Sequence, residues 1–224
     1  MLHRLLVGLL SLAWLAHPLG AQTLTPPGEV AIYVHAGVRN TEFVEPLVCS
    51  LTKVLAAPVR ARTLQLALTP ELRETNTQFS PRKIAGPFLQ ATAGNADHAR
   101  PFSYFIVEED LGSKPLNYVF AETYGDPYNL SVVSVARLAP DGTRLTRKQV
   151  AETTERRVYK LMLKSVAVMS GLRSEGCVMT FPRSLDELDL KSAEYCPEDR
   201  VAFVAARVLK EKPSESCSTV VAAR

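Results

Sequence analysis

The chain alternates short stretches in which apolar residues recur at every second position with longer ones in which they recur at every third or fourth. The first pattern predicts strands, the second helices. Residues 29–36 alternate and are rich in Val, Ile and Tyr, which predicts a first strand. Thr41 then opens a capped helical stretch to Leu55, with Val44, Leu47, Leu51 and Val54 on one face. Residues 59–68 predict a second strand, Pro70 begins a polar connection, and 82–92 predict a helix bounded by Gly94 and Asn95. Further strands are expected near 102–107, 118–121 and 130–137, with Gly, Asp and Pro marking turns at 125–127 and 140–142.

A long helix is expected over 147–170, charged in its first half and apolar in its second. Val158, Leu161, Met162, Val166 and Met169 recur at spacings of three and four, the pattern of an amphipathic core helix. Ser184 and Glu187 have capping-box spacing, so another helix should run to 194, and Pro197 starts one to about 210. From Glu211 the chain is polar and is expected to be loose except near Cys217. Strands alternating with helices predict an α/β layer arrangement.

Composition narrows the compartment more than the chemistry. The 224 residues are 46% hydrophobic and 22% charged, enough for one good core, and the net charge of +3 is too small and too interspersed for nucleic-acid binding. Residues 1–21 place Arg4 before an apolar run from Leu5 to Leu15 and end on Gly20 and Ala21, the layout of a secretory signal peptide. Nothing else is apolar for about 18 residues, the length a membrane span needs. The mature chain, 22–224, is therefore expected to be exported, periplasmic or secreted, without stable membrane insertion. Cys49, Cys177, Cys196 and Cys217 then become disulfide candidates, with three pairings open. Only His35 and His98 remain after signal removal, too few for a His-rich metal site, and no carboxylates cluster. Lys164 and Ser165 are adjacent on the long helix and so point about 100° apart, which argues against a Lys-Ser dyad. Asn129, Leu130 and Ser131 form an acceptor sequon, a tripeptide common by chance.

One segment carries a family signal. Arg157, Val158, Tyr159 and Lys160 lead to a helix stop at Gly171 and Leu172, followed by Cys177-Val178-Met179 and by Cys196. Upstream, Pro81-Arg82-Lys83 opens a helix, and the runs YFIVEED (104–110), NYVFAE (117–122) and VVSVARL (132–138) follow in order. Over roughly residues 30–200 this resembles the archaemetzincins, zinc proteases of the metzincin type, although Phe120-Ala121 departs from the family's phenylalanine-glycine. The resemblance implies an α/β (α+β) fold in which a mixed twisted sheet packs on helices and a long central helix carries the motif. It also implies a single domain, with a sheet-bearing subdomain over about 22–172 and a helical one over about 173–224.

In metzincins the pattern H-E-x-x-H-x-x-G-x-x-H puts two histidines one helical turn apart, and the glycine turns the chain so that a third completes the zinc site. Anchored on Gly171, the chemical positions fall on Lys164, Ser165, Val168 and Ser174. Catalytic zinc needs three donors and an open position. Lys164 is a cation, Val168 has no donor atom, Ser174 is a poor ligand, and Ser165 cannot act as the general base that a glutamate would be. Met179 falls at the Met-turn-like position. The family's second zinc, held by cysteines, is degenerate as well: Cys177 and Cys196 match, Asp199 stands where a cysteine should be, and the cysteine after the third histidine is missing. The resemblance thus implies no catalytic residue, no metal and no cofactor. Among the three pairings it selects Cys177 with Cys196, leaving Cys49 with Cys217. A remnant cleft between sheet edge and long helix would suit an extended peptide or protein, since strand addition needs no metal. The alternatives are a zinc-dependent metallopeptidase with an atypical site and an unrelated exported α/β domain.

Overall fold

Apolar residues on both faces of the central strands require covers on both sides, and the chain supplies them. The computed structural model describes residues 23–93, 101–140 and 144–217. Its strands are β1 (Val30–His35), β2 (Val59–Leu64), β3 (Phe102–Val107), β4 (Leu111–Ser113), β5 (Leu116–Val119), β6 (Ala121–Tyr124) and β7 (Leu130–Ser134). Its helices are α1 (Val44–Val54), α2 (Pro81–Thr92), α3 (Arg147–Met169), α4 (Leu185–Leu190) and α5 (Pro197–Ala205). The main sheet has the order β2-β1-β3-β7-β6, parallel except for β6, which lies antiparallel to β7 at one edge. Strands β4 and β5 form a separate hairpin.

Alternation along the strands builds two cores. Ile32, Tyr104, Ile106 and Val133 face one side, where they pack with Leu47 and Leu51 of α1 and Val158, Met162 and Val166 of α3. Ala31, Tyr33, Phe105 and Val132 face the other, against Ile84 and Phe88 of α2 and Leu111 and Val119 of the hairpin. Val178, Leu188 and Phe203, from the chain after α3, belong to the first core. Helix α3 starts in a capping box, with Thr146 and Gln149 bonding reciprocally, and ends in a Schellman turn. There Gly171, at φ 88°, donates to the Val168 carbonyl, and Leu172 donates to that of Ala167.

Several expected boundaries differ. Strand β2 stops at Leu64 instead of 68, and β7 at Ser134, where Val135 and Leu138 turn the chain. The expected strand 118–121 straddles β5 and β6, because the chain bends at Phe120 with no Gly or Pro to mark it. Helix α1 begins at Val44, whose N–H bonds the Thr41 carbonyl, and no side chain caps it. Helix α4 ends at Leu190 because Lys191 is extended, and α5 ends at Ala205, just before Arg207 at φ 59°. The tail expected to be loose is pinned short of Cys217: Lys210 N–H bonds the Val54 carbonyl, and Ser214 N–H that of Lys53. Disulfides join Cys177 to Cys196 and Cys49 to Cys217. The segment expected to be a signal peptide, Gly94, Asn95, His98 and most of the turn at 140–142 lie outside the described residues. No described helix is long and apolar enough to cross a membrane.

Candidate functional site: a cleft between the sheet edge and the long helix

A cleft of about 560 Å³ opens between β6, the β4–β5 hairpin, α3 and the segment after Met179. Strand β6 ends the sheet, so its outer backbone edge faces this space. Leu161, Lys164, Ser165 and Val168 of α3 form the floor, and Phe181, Pro182 and Arg183 the far wall. Tyr118 of β5 spans the two walls, its hydroxyl donating to the Arg183 carbonyl at 3.0 Å. Arg137 lies 4.2 Å above the Tyr118 ring and is itself held by Asp110 in two 2.7 Å hydrogen bonds. The mouth carries exposed apolar side chains, Leu116 at 46% and Phe181 at 53% of full accessibility.

Three of the four residues read from the motif meet here, and one does not. Lys164 extends to the far wall, its Nζ 5.0 Å from the centre of the Phe181 ring, a cation–π distance. Burial pushes its ammonium pKa down. Ser165 points the other way, under the sheet. Its hydroxyl lies 2.8 Å from Thr123 Oγ1 of β6, 3.1 Å from Ser131 Oγ of β7 and 2.9 Å from the Leu161 carbonyl. A carbonyl only accepts, so the single Ser165 proton is committed to Leu161, and the strand hydroxyls donate to Ser165. Val168 offers only methyl groups. Ser174 is not a lining residue: it donates to Asp199 Oδ2 at 2.7 Å, close to the Cys177–Cys196 bridge. Met179 is buried in a 3-10 turn over Cys177–Met179 that packs against α3, two residues before Phe181.

Arg157 and Lys160, singled out with the family signal, act below the cleft. Arg157 makes paired bonds to the Asp189 carboxylate at 2.8 and 2.6 Å and a third to the Leu138 carbonyl at 2.7 Å. Lys160 donates to the carbonyls of Leu188 and Asp189 at 2.9 and 2.7 Å, the last carbonyls around the end of α4. The Arg157 bonds hold the Asp189 carboxyl below the usual carboxylate range. Tyr104 and Tyr195, both buried, fix α3 through the carbonyls of Met162 and Leu163.

Sequence reasoning missed Thr123, Phe181, Arg183 and Lys191. Ser131 was visible only as part of the sequon, and its complete burial against Ser165 makes it a packing residue instead. Lys191 had no signal at all. It follows α4, is 8% exposed, and its Nζ is buried with no hydrogen-bond partner. Burial, followed by the charges of Lys164 and Lys160, lowers its pKa to about 7. His35 lies away from the cleft, at the end of β1, with Nε2 2.9 Å from the Leu66 carbonyl. Among the described residues, no three His, Cys, Asp or Glu side chains are grouped to hold a metal ion.

The fold is that of the archaemetzincins. The Archaeoglobus fulgidus archaemetzincin is similar over 78% of this chain and 98% of its own, with a TM-score of 0.59 and 23% identity. The Methanopyrus kandleri archaemetzincin is similar over 80% and 94%, with a TM-score of 0.61 and 21% identity. A zinc-dependent peptidase from Methanocorpusculum labreanum is similar over 77% and 98%, with a TM-score of 0.59 and 19% identity. No family model and no curated protein matches the chain. The fold family implies zinc, and the residues that the motif reading puts at its positions would not fit that ion. Lys164 presents an ammonium, Val168 no donor, and the Ser174 hydroxyl is engaged by Asp199.

Proposed function

We propose that this chain is an exported protein that keeps the archaemetzincin scaffold and binds an extended peptide in its cleft without hydrolysing it. The observation that carries the reading is Ser165. At the position of a general base it is a buried hydroxyl whose proton goes to Leu161 and whose acceptor capacity goes to Thr123 and Ser131. Such a group neither takes a proton from water nor, lacking an adjacent base, attacks a carbonyl. Binding needs none of that chemistry. The outer edge of β6 offers backbone donors and acceptors, and Leu116 and Phe181 offer apolar contacts for alternate side chains. Export is supported by the apolar run from Leu5 to Leu15 and by two disulfides, which persist in oxidising compartments.

The test is to mix the purified mature protein with quenched fluorogenic peptide libraries, with and without added zinc, and to follow backbone amide shifts by NMR. Peptides should shift the amides of Val119 to Thr123 while no cleavage develops. Cleavage that requires zinc and stops on chelation would sink this reading in favour of a metallopeptidase with an atypical site.

A further inference from the structure

The cleft carries a positive charge at the position that the motif reading gives to a metal ligand. Lys164 stands on the floor, and Arg183 lines the wall beside Phe181, its own guanidinium paired with Glu187 at 3.7 Å. Lys191 lies behind them with its buried ammonium unpartnered, close enough for the charges of Lys164 and Lys160 to act on it. Burial alone, with no carboxylate opposing it, sets the direction of the Lys164 shift. Among the described residues, the one acidic side chain lining the cleft is Glu122, and its Oε1 already accepts from the Tyr124 hydroxyl at 2.7 Å. This arrangement is a desolvated cation facing an open cleft, with further cations behind it. An incoming anion restores the interaction that burial removed.

We propose that the cleft selects peptides carrying an Asp or Glu side chain, whose carboxylate pairs with the Lys164 ammonium on the floor. The inference rests on the reading of the cleft as a peptide site and adds its ligand class. Leu161 and Val168 continue the floor about one helical turn to either side of Lys164, so a chain lying along α3 passes Lys164 and presents a side chain there instead of a terminus. The Phe181 ring holds the lysine stem in place, and a carboxylate approaching from the cleft meets the ammonium without displacing an internal ion pair.

The experiment compares two fluorescein-labelled, C-terminally amidated octapeptide pools, degenerate except for one central position fixed as Glu in one and Gln in the other. Binding is read by fluorescence anisotropy against the full-length mature protein and its Lys164→Gln and Lys164→Arg variants. The Glu pool should bind roughly three- to tenfold tighter, the range for a partly desolvated ion pair. That ratio should collapse towards one in Lys164→Gln and survive in Lys164→Arg. Equal binding of both pools to the wild-type protein overturns the charge anchor and leaves the peptide site standing. A preference that persists in Lys164→Gln overturns the assignment to Lys164. A free-acid copy of the Gln pool serves as control, and binding by it as tight as by the amidated Glu pool overturns the choice of a side chain over a terminus. Absence of binding by either pool overturns both this inference and the reading beneath it.

Discussion

Lys164 and Ser165 are neighbours on α3 with different fates, one reaching across the cleft and one buried at the back of its floor under β6 and β7, because successive helical residues point about 100° apart. Lys191 shows a different kind of residue, a charge without a partner. Burying an unpaired polar group costs roughly 1 to 3 kcal/mol by protein mutational data, and an unpaired charge costs more. Its folded pKa, lowered to about 7, fixes the sign of the pH dependence. Between about pH 7 and the ordinary lysine value near 10.4, the unfolded chain holds a proton that the folded chain has released. The stability of the wild-type protein therefore gains a rising contribution across that window. Lys191→Met removes the titration and should be more stable than the wild type at pH 6, by at least about 1 to 3 kcal/mol. The gap should close as the pH approaches 10. Urea melts at pH 6, 8 and 10 check it, and a pH-independent difference would show that Lys191 is not the group responsible.

At the scale of elements, α3 is held from several sides: Tyr104 and Tyr195 bond its carbonyls, and Arg157 and Lys160 seize the end of α4. Arg157→Leu keeps the apolar packing but leaves the Asp189 carboxylate and the Leu138 carbonyl short of their donors. Breaking such a buried pair costs about 3 to 5 kcal/mol, and the partial exposure of Asp189 brings the expected loss to about 2 to 4. Because Arg157 depresses the Asp189 pKa, this stabilisation is present above the ordinary carboxylate value and is lost as the pH falls through the folded one. The variant should therefore approach wild-type stability in acid, as thermal melts at pH 7 and pH 3 would show. Much of this architecture was legible. Runs rich in apolar residues marked β1 and β3, and Gly171 marked the end of α3. The join between β5 and β6 was not legible, because two four-residue strands meet at Phe120 without turn residues. Ser174 was placed by analogy with a third ligand, but its local chain turns it to Asp199. Lys191, Phe181 and Arg183 reach the site from sequence-distant segments, and no local pattern announces a tertiary contact.

For the whole molecule, the two disulfides divide stability from function. Cys49 lies on α1, which packs on β2 at the sheet edge opposite the cleft, and its bridge to Cys217 closes a separation of 168 residues. Cys177 opens the turn that carries Met179 and leads into Phe181, and its bridge to Cys196 closes a separation of 19. In the chain-entropy account the short loop contributes roughly 2 to 4 kcal/mol and the long one about 4 to 5, each reduced by any strain in the folded state. Backbone bonds from Lys210 and Ser214 to the end of α1 also hold the tail, so it should stay docked without its bridge. Replacing Cys49 and Cys217 together with Ser should therefore lower the melting temperature while leaving cleft-bound peptide affinity within about twofold, as expected of a change remote from the site. Replacing Cys177 and Cys196 together should lower stability less but weaken peptide binding more, because it frees the wall that positions Phe181 over Lys164. Anisotropy titrations and melts on both double variants give the comparison. If the first pair governed affinity and the second did not, the wall after Met179 would not be part of the binding site.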